Sequence, residues 1–208
     1  MLILGLTGSI GMGKTTAARN LHRLGVPVHD ADAAVHALLA AGGAAVGPVA
    51  RAFPGVAADG GIDRGRLGAI VFDDPDALAA LEGILHPMVR NAERRFLGAM
   101  ARRRRRVVVL DVPLLFETGG EARCDAVINV SAPGFIQEAR VLRRPGMTRE
   151  RLERILAKQM PDREKCRRAD FVVQTGRGRW ESLRALAKIL KTVSTWRGRN
   201  WPPRRRPV

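Results

Sequence analysis

A glycine-rich segment near the amino terminus has the residue types and spacing needed to bind phosphate groups. Residues 8–15 have the sequence GSIGMGKT, which matches the pattern G-x-x-x-x-G-K-[ST] in full. Glycines let the backbone approach phosphate oxygens, so that main-chain N–H groups can surround an anion. Lys14 supplies a mobile positive charge for the β- and γ-phosphates, and the Thr15 hydroxyl is placed to ligate Mg²⁺. This segment, called the phosphate loop below, predicts binding of ATP with Mg²⁺.

The segments on either side of the phosphate loop favour this interpretation over an accidental match. Residues 2–6 form an apolar run typical of a buried strand. After the loop, Ala17, Leu21 and neighbouring apolar residues recur at helical spacing, and Gly25 is placed to end the helix. A strand, a phosphate loop and a helix in this order predict a nucleotide-binding core.

Acidic residues follow two other apolar runs. Asp30 and Asp32 come after residues 26–28, and Asp111 lies in the run 107–112. Ligands of parallel sheets bind at the carboxyl ends of strands, so these carboxylates are candidates for chemistry. Asp30 or Asp32 could accept the proton of an acceptor hydroxyl, while either could instead cap the helix that follows. Asp111 could hold Mg²⁺ through water, as the acidic residue after a buried strand does in many nucleotide-binding proteins.

The order of strand and helix patterns predicts an α/β fold. Continuous apolar runs suit a parallel sheet that is covered on both faces, and helical patterns separate them. We therefore expect a three-layer sandwich of the P-loop NTPase type with a five-stranded parallel sheet. The predicted strands lie at residues 2–6, 26–28, 107–112, 126–130 and 171–173.

Two long helical stretches interrupt this alternation. Residues 31–106 are too long for a simple crossover and predict an inserted helical domain that binds the acceptor. Residues 133–169 predict a lid, because Gln137, Arg140 and Arg144 would share one helix face. The nucleotide core is expected at residues 1–30 and 107–195, with a basic flexible tail at 196–208.

The composition limits the classes of function. The net charge is +16, but aromatic residues are only 4% and tyrosine is absent, so base-stacking surfaces are scarce and nucleic-acid binding is not favoured. No apolar run approaches the ~20 residues that span a bilayer. The short apolar amino terminus and two unpaired cysteines predict a cytoplasmic enzyme. Its oligomeric state is left open.

The ordered set of motifs resembles the dephospho-CoA kinase family over roughly residues 1–190. The resembling segments are residues 5–16 (GLTGSIGMGKTT), 30–32 (DAD), 85–87 (LHP), 113–117 (PLLFE), 137–144 (QEARVLRR), 159–161 (QMP) and 169–171 (ADF). The resemblance implies transfer of phosphate from ATP to the 3′-hydroxyl of dephospho-CoA, with Asp32 as general base and Lys14 and Arg140 as further catalytic groups. It implies ATP binding by Gly11, Met12, Gly13, Lys14, Thr15, Thr16 and Arg144.

Other residue roles follow from the same resemblance. Arg64 and His86 are expected to contact the acceptor, together with Asp32, while Thr15 and Asp111 are the candidate metal ligands. The segment 174–176 (QTG) departs from the family, which usually has an acidic residue and asparagine before the glycine. The alternatives are a kinase for nucleoside monophosphates or sugars and a nucleic-acid binder that uses the basic segments.

Overall fold

The chain forms two compact units in a computed structural model that describes residues 1–72 and 74–202. The core unit comprises Met1–His29 and the chain from Met100 onward, and the inserted unit comprises Asp30–Ala99. Within the described residues, no helix has both the length and the apolar character needed to cross a membrane.

The secondary structure follows the predicted alternation of strands and helices. In chain order the elements are β1 (Leu2–Thr7), α1 (Lys14–Arg23), β2 (Val28–Asp30), α2 (Ala31–Leu39), α3 (Val46–Ala52), β3 (Ala57–Ala58), β4 (Gly61–Ile62), α4 (Arg64–Val71), α5 (Pro75–Arg102), β5 (Val107–Asp111), β6 (Ala126–Ser131), α6 (Gly134–Leu142), α7 (Arg149–Ala157), α8 (Asp162–Arg168), β7 (Phe171–Gln174) and α9 (Arg179–Val193), with a short 3₁₀ turn at Gly120–Arg123.

A five-stranded parallel sheet forms the centre of the core unit, in the order β2-β5-β1-β6-β7. The central strand β1 pairs on both sides, so that Leu6 lies opposite Asp111 of β5 and Ile128 of β6. Every residue of β1 and β6 is buried, which explains their continuous apolar runs. The predicted α/β class and the five parallel strands are confirmed, although the second strand begins two residues later than predicted.

Helices α1 and α9 cover one face of this sheet. Leu4 and Leu6 of β1 form a buried cluster with Leu21 of α1 and Leu186 of α9. Burial of one such leucine side chain contributes about 1.5–3 kcal/mol, so this cluster holds α1 firmly against the strand that precedes the phosphate loop.

Helix α1 ends where the sequence predicts. The Gly25 N–H donates to the His22 carbonyl and the Val26 N–H to the Leu21 carbonyl, at 3.0 and 3.1 Å. Gly25 has φ of 79°, a left-handed conformation that glycine adopts without steric cost. This pair of bonds is a Schellman motif and confirms Gly25 as the end of the helix.

The inserted unit has its own apolar core. Leu39 of α2, Val49 of α3, Leu67 of α4 and Leu85 of α5 belong to one buried cluster. Helix α3 and the β3–β4 hairpin were not predicted, because their apolar patterns are short. Helix α5 continues through Pro87 without a break, although a proline inside a helix predicts a kink or a break.

Aspartates cap helices α4 and α5 of the inserted unit. Asp63 accepts from the N–H groups of Arg66 and Gly65, which hold the pKa of its carboxyl below the ordinary value. Asp74 accepts from the N–H groups of Asp76 and Ala77, both at 2.9 Å, and so caps α5.

Candidate active site

The phosphate loop has a backbone that only glycine accommodates at two positions. Gly11 and Gly13 have φ of 78° and 92°, in the left-handed region. A Cβ atom at Gly11 would lie 2.6 Å from Val141 Cγ2, which is too close for any side chain. Helix α1 begins at Lys14, so its first N–H groups have no acceptor within the helix and can bind an anion. The loop therefore has the geometry of a phosphate site.

Lys14 is paired with an acidic residue of the neighbouring strand. Its Nζ lies 2.8 Å from Oδ1 of Asp111, which ends β5 beside β1. The two side chains are 16% and 3% exposed, so each charge needs the other as a partner. The pair places an ammonium group at the start of α1, where the helix dipole also favours a negative ligand.

The residues predicted to ligate Mg²⁺ have suitable donor atoms. Thr15 is exposed at the start of α1. The Asp111 carboxylate pairs with Lys14, the residue before Thr15 in the sequence. Among the residues that the structure describes, no three acidic, histidine or cysteine side chains cluster as a metal site.

Two glutamines hold the tip of the phosphate loop. Gln137 Nε2 donates to the Ile10 carbonyl at 2.8 Å, and the Ile10 N–H donates to Gln159 Oε1 at 3.1 Å. Both glutamines lie in the segment 133–169, which the sequence predicts as a lid. In this structure the segment also fixes the loop backbone from outside the loop.

Arg140 contacts the loop backbone as well. Its Nη1 donates to the Gly11 carbonyl at 3.4 Å and to Thr175 Oγ1 at 3.0 Å, and its Nη2 donates to the Thr175 carbonyl at 2.8 Å. The predicted shared helix face is wrong for Arg144, because α6 ends at Leu142. Pro145 explains this, because a proline disfavours helical geometry at the residue before it, here Arg144. The Arg144 side chain is exposed.

A buried ion pair connects α8 to the segment after β5. Lys165 Nζ lies 2.8 Å from Glu117 Oε1 and donates to the Pro113 carbonyl at 3.3 Å. The same Glu117 oxygen accepts from the Met160 N–H at 2.9 Å. Burial alone would raise the pKa of Glu117, but hydrogen bonds from Lys165, from the Met160 N–H and from the N–H of Glu117 itself outweigh it and hold the pKa below its ordinary value.

The inserted unit contains the other predicted site residues. Asp30 Oδ1 accepts from the Ala33 N–H at 3.0 Å, so Asp30 is the cap of α2. Asp32 is exposed in the first turn of the same helix, and its carboxylate does not cap it. Arg64 is exposed and donates to the ring of His36, and His86 is exposed on α5. The structure thus separates the two aspartates into a capping residue and an exposed one.

Comparison with known proteins decides the family. A family model for dephospho-CoA kinase matches residues 2–179. The chain belongs to the dephospho-CoA kinase family. The dephospho-CoA kinase of Paramagnetospirillum magneticum is 68% identical over 165 residues, which are 79% of this chain and 78% of that protein. The dephospho-CoA kinase of Rhodospirillum rubrum is 59% identical over 201 residues, or 96% and 95% of the two chains.

A solved structure shows that the fold extends over most of the chain. The crystal structure of TT1252 from Thermus thermophilus has a TM-score of 0.80 and 37% identity, and the match covers 93% of this chain and 98% of that one. The predicted family and its P-loop kinase fold are therefore confirmed.

Some residues of this dephospho-CoA kinase family member have contacts that the sequence did not predict. Thr175 and Gln159 contact the phosphate loop from distant parts of the chain, and Lys165 pairs with Glu117. Gln159 lies in a motif of the family resemblance, which was a usable signal. Lys165 lies in a basic, polar helix sequence that gives no sign of burial, although its side chain is fully buried.

Proposed function

We propose that this chain transfers the γ-phosphoryl group of ATP to the 3′-hydroxyl of dephospho-CoA, giving coenzyme A and ADP. The phosphate loop is the observation on which the proposal rests, since its left-handed glycines, free helix N–H groups and Lys14 suit a triphosphate. Membership of the dephospho-CoA kinase family supplies the acceptor.

The proposed reaction is a single in-line displacement. The oxygen of the 3′-hydroxyl forms a bond to the γ-phosphorus while the bond to the β,γ-bridging oxygen of ATP breaks, and ADP leaves. Asp32 accepts the hydroxyl proton, and its exposed carboxylate is available for this role because Asp30 is the residue that caps α2. Lys14 and the loop N–H groups stabilise the charge on the phosphates.

We propose Thr15 and Asp111 as the protein groups that hold Mg²⁺. The metal supplies charge neutralisation on the phosphates when it is bound. A hydroxyl and a carboxylate are hard oxygen donors of the kind that Mg²⁺ prefers. Asp111 would then bind the metal in addition to its ion pair with Lys14.

Four basic residues are proposed to hold the substrates. Arg64 and His86 are exposed on the inserted unit and suit the anionic groups of the acceptor. Arg140 and Arg144 are proposed to act on ATP from the lid segment. Arg144 is exposed, whereas the Arg140 guanidinium already binds the phosphate loop and Thr175, so Arg144 is the freer of the two to reach phosphate.

The activity is tested by incubating the purified chain with ATP, Mg²⁺ and dephospho-CoA. We expect the acceptor to gain one phosphoryl group by mass, at a position that phosphorus–proton couplings assign to the 3′ oxygen. Nucleoside monophosphates and sugars serve as rival acceptors. Turnover of a rival acceptor without turnover of dephospho-CoA would overturn the proposal.

Asp32 has a matched control on the same unit. Asp32 and Asp76 both occupy the second position of a helix that an aspartate caps, and both are exposed. We expect Asp32→Asn to lower kcat by about 10²- to 10⁴-fold, the range for loss of a general base, and Asp76→Asn to leave it unchanged. Equal rates for the two variants would exclude Asp32 as the base.

We also propose that the enzyme acts in the cytoplasm. Neither Cys124 nor Cys166 forms a disulfide with another described residue, which suits a reducing compartment.

A further inference from the structure

Thr175 is held in the core unit by all of its polar groups. It follows β7 directly, is 6% exposed, and its N–H donates to the Ser131 carbonyl at 2.8 Å. Its carbonyl and its hydroxyl oxygen both accept from Arg140. Its hydroxyl proton has two possible acceptors, the Met12 carbonyl at 2.6 Å and the Ser131 carbonyl at 3.3 Å. The shorter distance favours Met12, a residue of the phosphate loop.

We propose that the Thr175 hydroxyl is a positioning group for the phosphate loop. This hydroxyl connects the Arg140 guanidinium to the Met12 carbonyl. Arg140 donates to the hydroxyl oxygen and so polarises the O–H bond that Thr175 donates to Met12. The charge of Arg140 thereby strengthens a bond to the loop backbone. This inference rests on the proposed use of ATP by the loop.

The planar peptide group explains why this bond would matter for phosphate. In a trans peptide the carbonyl of one residue and the N–H of the next point in opposite directions. The bond from Thr175 to the Met12 carbonyl therefore turns the Gly13 N–H away from Thr175. Gly13 has φ of 92°, and a Cβ atom there would lie 3.0 Å from Thr175 Oγ1, so the two residues are in close contact. The hydroxyl thus sets the direction of one N–H donor of the loop.

The same contacts exclude Thr175 from reading the adenine base with its side chain. Its hydroxyl is used for Arg140 and Met12, and the residue is buried. The threonine would thus act on the triphosphate side of the nucleotide. The prediction is that its loss weakens binding of the phosphates with or without a base attached.

The experiment compares hydroxyl-free and hydroxyl-retaining variants of the full chain. Thr175→Val and Thr175→Ala remove the hydroxyl, and Thr175→Ser retains it. Thr118→Val is the matched control, because the Thr118 hydroxyl also donates to a backbone carbonyl, that of Leu114, at 2.8 Å. Binding of ATP and of inorganic tripolyphosphate is measured by calorimetry, and the KM for each substrate and kcat by a coupled ADP assay.

We expect both hydroxyl-free variants to raise the Kd of ATP and of tripolyphosphate by the same factor, about tenfold, since a buried carbonyl loses its donor. The KM for dephospho-CoA should stay at the wild-type value, Thr175→Ser should restore binding, and Thr118→Val should match the wild type. Circular dichroism and Tm confirm that each variant is folded.

Two results would overturn the inference. One is wild-type affinity for tripolyphosphate in the hydroxyl-free variants, whether or not ATP binding changes, because the effect would then not act on the loop. The other is failure of Thr175→Ser to restore binding, which would assign the effect to the threonine methyl group. A wild-type chain that does not phosphorylate dephospho-CoA would instead contradict the proposed function, and the tripolyphosphate measurements would still decide the role of Thr175.

Discussion

Replacing Lys165 with methionine tests the buried ion pair that connects α8 to the segment after β5. Methionine has a similar length and no charge, so the change removes the ammonium group and leaves most of the packing. Glu117 then loses its partner at 2.8 Å, while the Met160 N–H stays on the same oxygen. Its second oxygen, Oε2, is already buried without a hydrogen-bond partner among the described residues.

The magnitude follows from the burial of the two side chains. Breaking a fully buried pair by removing one partner costs about 3–5 kcal/mol. Glu117 is 17% exposed and regains some hydration, which favours the lower end, about 3 kcal/mol. For a chain of this size, 1 kcal/mol corresponds to about 2–4 °C in Tm, so we expect Lys165→Met to lower Tm by about 6–12 °C at neutral pH.

The pKa of Glu117 also predicts how the Tm difference between Lys165→Met and the wild type changes with pH. In the wild type the folded pKa of Glu117 lies below its ordinary value of 4.5, so the pair stabilises the fold above that value, and this contribution is lost as pH falls through the folded pKa. In Lys165→Met the ammonium group no longer lowers the pKa of Glu117, so this pKa is higher in the folded variant than in the folded wild type. As pH falls, the folded variant therefore takes up a proton on Glu117 before the folded wild type does. The Tm deficit should therefore be smaller at about pH 5 than at about pH 7.5.

A double variant completes the test. Lys165→Met with Glu117→Gln removes both charges and keeps an acceptor for Met160, so it should be about 1–2 kcal/mol more stable than Lys165→Met alone. Thermal unfolding by calorimetry at the two pH values measures all three chains. The argument fails if Lys165→Met lies within about 0.5 kcal/mol of the wild type, or if the double variant is no better than the single one.

Three further predictions concern the phosphate loop and the tail. Lys14→Arg should lower kcat/KM by about 10²- to 10³-fold, because a planar guanidinium does not replace a compact ammonium, and near-wild-type kinetics would contradict this. Asp111→Asn should raise the Mg²⁺ concentration for half-maximal rate by about 10- to 100-fold, and an unchanged Mg²⁺ titration would exclude the metal role. Asp125→Ala removes the acceptor of the Arg199 and Asn200 N–H groups and also that of the Ile3 N–H in β1, so trypsin should cleave the tail faster and Tm should fall. An equal digestion rate would show that the bonds to Arg199 and Asn200 do not hold the tail.

The Asp125 bonds bear on the tail that the sequence predicts to be flexible. Trp196 contacts the Phe171 ring at 5.8 Å between centroids, and Asn200 binds Asp125 with both its N–H and its side-chain amide. Residues 196–202 therefore have a defined place in the core unit. The flexibility of the tail stays a prediction, and residues 203–208 lie outside the described part of the chain.

Local features of the chain were accessible from the sequence. The left-handed glycines of the phosphate loop, Gly25 at the end of α1 and Asp74 at the start of α5 each act on residues a few positions away. Their chemistry is therefore visible in a short window of sequence. The buried strands were visible for a similar reason, since a strand covered on both faces needs a continuous apolar run.

Choosing between alternatives for one residue needed coordinates. The sequence left open which of Asp30 and Asp32 caps α2, because both positions suit a helix start. The bond from Ala33 to Asp30 decides it and leaves Asp32 available for the proposed proton transfer. The end of α6 before Arg144 was also missed, although Pro145 was a local signal for it.

The sequence by itself determined that a phosphate loop stands between a buried strand and a helix, since pattern and periodicity are local properties of the chain. Only the tertiary structure decided what holds that loop in shape. Gln137, Gln159 and Thr175 bond to Ile10 and Met12 across more than a hundred residues of sequence. The sequence around a polar side chain does not reveal which distant backbone group it will contact. Such contacts form only after the parallel sheet has assembled and brought the carboxyl ends of its strands to one edge.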